Sequence, residues 1–292
     1  MSYSPTLGLK VVQTAQYVEE STFGAFPSNP TMNWIGTDMQ YSDSVDMGSF
    51  KYRNLGSEDL KGVEGGAQKY EITLDYAIQN STFLKYLVNS QGGGSGSIDK
   101  SLSMLLEVPI NGTNQFMEIL GARPDSGSIK WQLGKELRAN VKLEAQSLPA
   151  YSTSSPIGTG AFASDPGTSP FMFTDPGSGG IMVGGTAYDV NDLTVNFARN
   201  LQRVGVIGQA TSKYILPSVR DITGDITLIL ESVSNYSAML NNTAQTIVAP
   251  LKSGTSTLTL SNAFFIKQGK SIQVKDIIYE KYSFVAESAT LT

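Results

Sequence analysis

Apolar and polar residues alternate with a period of two along most of the chain. Tyr70-Glu71-Ile72-Thr73-Leu74-Asp75-Tyr76-Ala77-Ile78 keeps the alternation over nine positions. Successive side chains of a strand point to opposite faces, so this is the pattern of a half-buried strand. Similar runs lie at 101–108, 128–133, 139–143, 193–197, 225–230, 256–260, 271–274 and 282–285. The pattern predicts an all-β protein with minor helix.

Helical spacing is rare. Phe83, Leu84, Leu87 and Val88 follow the N-cap candidate Ser81 and predict one short helix over 81–89. A weaker version covers 234–240, and each follows a strand directly. Gly92-Gly93-Gly94-Ser95-Gly96-Ser97 reads as a hairpin tip. The Pro-, Gly- and Ser-rich stretch 151–180, with Phe162, Phe171 and Phe173 as anchors, reads as a linker between domains at 1–150 and 181–292.

The two parts repeat. Ser128-Ile129-Lys130-Trp131 running on to 141–148 lies without gaps on Ser271-Ile272-Gln273-Val274 running on to 284–291. Ile72-Thr73-Leu74 leading to Phe83 and Leu87 mirrors Ile226-Thr227-Leu228 leading to Tyr236 and Leu240. Upstream of each unit the pattern places a strand, 47–54 and 193–202, followed by a Gly-rich segment. Order, spacing and chemistry predict an internal duplication.

Composition removes most catalytic chemistry. The 292 residues include no His and no Cys, so a Ser-His-Asp or Cys-His triad, a thiolate nucleophile, a Cys/His zinc site and a neutral-pH imidazole base are all excluded. Charged residues make up 16%, against about 25% in ordinary soluble domains, and the net charge is −5. That balance argues against a nucleic-acid grip built on basic patches. The first residues lack the pattern of a signal peptide and no apolar run is long enough for a membrane-spanning helix, which predicts a soluble chain made in the cytosol.

The carboxylates Glu19-Glu20, Glu58-Asp59 and Asp75 read as solvated loop groups rather than an acid-base pair. Gly62-Val63-Glu64-Gly65-Gly66 and 177–180 lack the Lys-Ser/Thr ending of a phosphate loop. Asp189-Val190-Asn191-Asp192 fits turn chemistry better than a calcium loop. No catalytic, metal or cofactor site is expected.

Three segments carry a resemblance: Tyr17-Val18-Glu19-Glu20-Ser21-Thr22-Phe23-Gly24-Ala25-Phe26-Pro27, Trp34-Ile35-Gly36, and Arg53-Asn54-Leu55-Gly56-Ser57-Glu58-Asp59. With the strand 70–78 running into Phe83-Leu84-Lys85-Tyr86-Leu87, residues 10–148 resemble the tail tube proteins of long-tailed phages and their archaeal virus relatives. The second half is linked only through its likeness to the first. The resemblance implies two tandem β-sandwich or half-barrel tube domains, each with one short flanking helix. It also implies sixfold rings whose inner strands join into one barrel, stacked so that DNA passes through the bore. A chain with two such domains would close as a homotrimeric, pseudo-sixfold ring.

The resemblance further implies that the segment 55–68 reaches a neighbouring ring, with 204–219 as its counterpart. The candidate inter-ring residues are Leu55, Gly56, Ser57, Glu58, Asp59, Val63, Glu64, Val206, Ile207 and Gln209. Glu71, Thr73, Asp75, Asp225 and Thr227 are the candidates for a face lining the lumen. A chain of this kind is a structural, non-enzymatic virion protein assembled in the host cytoplasm. Its partners are copies of itself, the tape measure, terminator and baseplate or tip proteins, and DNA in passage. Closing strands between protomers removes open sheet edges, and a slightly acidic wall lets a polyanion slide. Two other readings are the inner tube of a contractile injection machine and a surface adhesin or carbohydrate-binding β-sandwich, which would expose aromatic platforms.

Overall fold

A computed structural model describes residues 14–53, 58–89, 100–110, 112–177, 179–230, 233–271 and 278–292. Among the described residues the chain is all-β with two short helices. In the first half the elements are β1 (Thr14–Glu19), β2 (Asn33–Trp34), β3 (Thr37–Asp46), β4 (Ser49–Arg53), β5 (Leu60–Gly65), β6 (Lys69–Ala77), α1 (Lys85–Val88), β7 (Leu102–Ile110), β8 (Thr113–Gln132) and β9 (Arg138–Ala145). In the second they are β10 (Ile181–Val183), β11 (Thr186–Tyr188), β12 (Val190–Ala198), β13 (Gln202–Val204), β14 (Tyr214–Leu216), β15 (Asp221–Ile229), α2 (Ser234–Leu240), β16 (Gln245–Lys252), β17 (Ser256–Ser271) and β18 (Tyr279–Leu291).

The strand order of the first half, β3-β6-β9-β8-β7-β1-β2, recurs in the second as β12-β15-β18-β17-β16-β10-β11. Every ladder is antiparallel. β12 also pairs with β8, from Asp192 opposite Gln132 to Ala198 opposite Ser126, which makes one 14-stranded sheet of the two sets. Along the path β3-β6-β9-β8-β12-β15-β18-β17, eight strands lie side by side.

The long strands β8 and β17 turn a corner. β8 pairs with β7 up to Ala122, then with β9 from Arg123 and with β12 from Ser126. The corner sits at Gly121, whose φ of +64° suits a residue without Cβ; an added Cβ would lie 2.7 Å from that of Gln146. In β17 the corresponding bend carries Asn262 at φ +49°, a residue that tolerates this region. The same corner is therefore cut twice.

One core of apolar side chains runs from Ala15 to Leu291 across both halves. Ile72, Leu74 and Tyr76 of β6, Val141 and Leu143 of β9, Leu193 and Val195 of β12, and Tyr282 and Phe284 of β18 lie in it with almost no exposure. Asn89, just after α1, accepts the Leu291 N–H at 2.8 Å, and the Trp131 indole donates to the Pro250 carbonyl at 3.1 Å. Residues 151–177 run along the first half: Ser152 exchanges backbone bonds with Phe116, and Phe171 bridges Ile78 and Leu137. Asp175 then accepts from Ser253 of the second half.

Several sequence expectations change. The strand expected at 47–54 is β4, part of a hairpin, and β3 takes the place beside β6. β3 escaped notice because only Met39, Tyr41 and Val45 are apolar in it. The first helix is shorter than 81–89: it starts at Lys85, and the Asn80 side chain rather than Ser81 receives the Thr82 N–H at 3.0 Å. The ungapped overlay of the hairpins also fails. Ser128 faces Asn140, whereas Ser271 faces Tyr279, four residues short of Ser283. A pattern of period two fits equally well at any even shift, so it does not set register. The tip at 92–97 and most of 271–274 lie outside the described residues.

Candidate functional site

Glu71, Thr73 and Asp75 occupy the face of β6 opposite the core, half-buried by neighbouring polar side chains. Glu71 lies 2.5 Å from Lys69 and 3.2 Å from Lys142 on β9. The hydrogen bond from Lys69 chiefly, and that from Lys142, hold its carboxyl below the ordinary value of 4.5. Asp75 meets Arg138 at 2.6 Å, and the same guanidinium reaches Asp38 and Glu136, each at 2.6 Å. On β15 Asp225 lies 3.5 Å from Lys281 and accepts from Ser283 at 2.6 Å, with Thr227 half-buried beside it. Each candidate carboxylate thus has a cation beside it, Arg138 being shared among three: this face is a mesh of ion pairs, not bare acid. The sequence pointed to the carboxylates but not to Arg138, Lys142 or Lys281, because pairing partners are set by strand order.

Two hairpins leave the sheet at corresponding points, β4–β5 after β3 and β13–β14 after β12. In the first, Val63 and Glu64 lie on β5, and Glu58 and Asp59 just before it; Leu55, Gly56 and Ser57 lie outside the described residues. Tyr52 donates to Glu64 at 2.9 Å, yet Phe50 is 61% and Val63 59% exposed, so this arm buries little of its apolar surface. The second hairpin folds over the first half. Ala210 accepts the Gln68 N–H at 2.8 Å, Ser212 accepts from Gln146 at 3.0 Å, and Tyr214 meets Phe23 with ring centroids 6.2 Å apart. Arg203 donates to Glu144 at 2.9 Å and to the Tyr70 carbonyl at 2.9 Å. Val206, Ile207 and Gln209 form its tip, where Ile207 is fully exposed.

Glu20 departs from the sequence reading. It is 4% exposed and accepts from the Gly24 and Gly121 N–H groups at 2.8 and 2.7 Å and from the Ser101 and Ser103 hydroxyls at 2.6 and 2.7 Å. Its neighbour Glu19 accepts from Tyr86 at 2.5 Å. Glu19 is exposed at the end of β1, as expected of a solvated carboxylate, but Glu20 is not a solvated loop group and neither is Asp75, which sits half-buried within β6; the reason is that donors arrive from distant strands. Arg199, 2% exposed, donates to the carbonyls of Leu87 and Asn89 at the end of α1, where a cation meets the negative end of the helix. Burial, with Arg220 and Arg123 nearby, pushes its pKa down to about 10.

Among the described residues no three acidic side chains stand together as metal ligands. Val190, Asn191 and Asp192 lie at the start of β12, where the ladder with β15 shifts register between Val190 and Asp192, rather than in the expected turn. A cavity of about 340 Å³ lies where β8, β12 and residues 173–181 meet, lined by Trp131, Leu133, Phe173, Tyr188 and Tyr279. No helix among the described residues is long and apolar enough to cross a membrane.

The family model for phage tail tube proteins matches residues 12–286, nearly the whole chain. No curated protein sequence matches it.

Proposed function

Because the chain belongs to the phage tail tube family and is a structural component of the virion tail, we propose that three copies form one ring. Each copy supplies two tandem tube domains, 1–150 and 181–292, joined by 151–180; the rings stack, and viral DNA passes through the bore. The observation that carries this reading is the strand order used twice and joined edge to edge by β12 on β8.

Geometry supports the count. Three copies of the eight-strand path give roughly 24 strands; at about 4.8 Å spacing and about 40° tilt the backbone circle has a radius of about 24 Å. Allowing about 5 Å for side chains, half the usual distance between packed sheets, leaves a bore of about 38 Å. That is wide enough for a DNA duplex. One chain closing on its own eight strands would instead leave an interior filled by side chains.

The polar face with Glu71, Thr73, Asp75, Asp225 and Thr227 lines this bore. Its carboxylates are offset by adjacent cations, so it presents neither a basic grip nor a strong barrier to phosphate. Hairpin tips, including Glu58, Asp59, Val206, Ile207 and Gln209, meet the neighbouring ring. The protein is a non-enzymatic wall assembled in the host cytoplasm, and its ends meet other tail proteins. Negative-stain microscopy of purified protein at rising concentration tests the reading: rings or stacked tubes with a central bore are expected, and a persistent monomer would overturn it.

A further inference from the structure

The joint between the two halves has both of its sides left open elsewhere in the chain. At that joint β12 lies along β8, and the hairpin that follows, β13–β14, is laid over the first half through Arg203 on Glu144 and the Gln68–Ala210 bond. In the recurring strand order β3 stands where β12 stands. It pairs with β6 on one edge, and its other edge carries no ladder among the described residues. β17 stands where β8 stands. Its ladder with β16 ends at Ala263, so beyond that point only the β18 edge is used. There Ile266 is 63% exposed. The β4–β5 arm follows β3 as β13–β14 follows β12, but among the described residues Phe50 and Val63 stay exposed.

We infer that β3 of one copy adds antiparallel to the open edge of β17 in a second copy, with the β4–β5 arm laid over that copy's second half. The occupant is this chain itself, because the joint it repeats is already made within each molecule. Charge agrees. β3 carries Asp43 and Asp46 and no cation, whereas 264–271 carries Lys267 and no carboxylate; Asp38 and Lys270 already have partners within the chain in Arg138 and Glu280. An unpaired edge invites another strand, and opposite charges across a strand pair favour this one. The arm has the matching cations: β4 carries Lys51 and Arg53 where β13 carries Arg203. A single rotation thus covers the free edge and the bare arm. The inference rests on the ring reading and names its seam.

The chain has no cysteine, so a crosslink reports one place. In the register of the β12–β8 joint Asp46 falls opposite Lys267, so Asp46→Cys with Lys267→Cys, treated with a short bis-maleimide whose reach spans a two-residue change of register, is expected to give covalent dimers and closed trimers on a denaturing gel. Each single variant should lose the trimer band entirely. Rings seen by microscopy without any crosslink would overturn the seam and leave the ring standing; a wild type that stays monomeric would overturn both. Should the double variant not assemble, charge decides: Lys267→Asp is expected to abolish rings, and adding Asp43→Lys and Asp46→Lys to restore them. Failure of that rescue also overturns the seam.

Discussion

Glu20 shows how much one side chain can hold. Its carboxylate collects four donors from the 21–25 turn, Ser101 and Ser103 at the start of β7, and the corner of β8. Hydrogen bonds to a charged group contribute about 1.5–3 kcal/mol each, and a buried donor left without a partner costs about 1–3 kcal/mol. Glu20→Ala is therefore expected to destabilise the fold by about 3–5 kcal/mol, read as a shift of the denaturation midpoint. A change below about 0.5 kcal/mol, ordinary for surface positions, would contradict this role. In sequence the doublet Glu19-Glu20 looked solvated because its donors lie as many as 101 residues away. The available hint was Ser101-x-Ser103, two hydroxyls on one face of an otherwise apolar strand. Arg199 left no hint at all, since its acceptors are backbone carbonyls.

At the scale of elements, legibility followed the amplitude of the alternation. β6, β9, β12 and β18 were readable because a core on one side and polar neighbours on the other force a strict period of two. β3 was not, because at an open edge its outer half buries nothing, and the first stretch of β8 was hidden by its bend. The inter-strand pairs on the polar face carry a pH signature. The carboxyl of Glu71 lies below 4.5 in the folded chain, so its contribution to stability is complete above that value and fades as pH falls through the folded value. Thermal melts of wild type and Glu71→Gln should accordingly differ by a constant amount from pH 7 to about pH 5, and converge further into acid. A gap that persists undiminished at about pH 3 would assign the difference to something other than this ionisation.

For the whole molecule, the repeat was legible in sequence as order and spacing, whereas its registers and the β12–β8 joint were not, since nothing local encodes which edges meet. The continuous core and the Asn89–Leu291 link tie the halves together more tightly than a linker would. Calorimetry is expected to give a single unfolding peak for the full chain, and two resolved peaks would show that the halves unfold independently. The joint has a further consequence, in time rather than in space. Because both of its strands belong to one polypeptide, they meet at an effective concentration of order millimolar however dilute the protein is. That joint is therefore in place as soon as the chain has folded, and only contacts between molecules have to wait for the protein to accumulate.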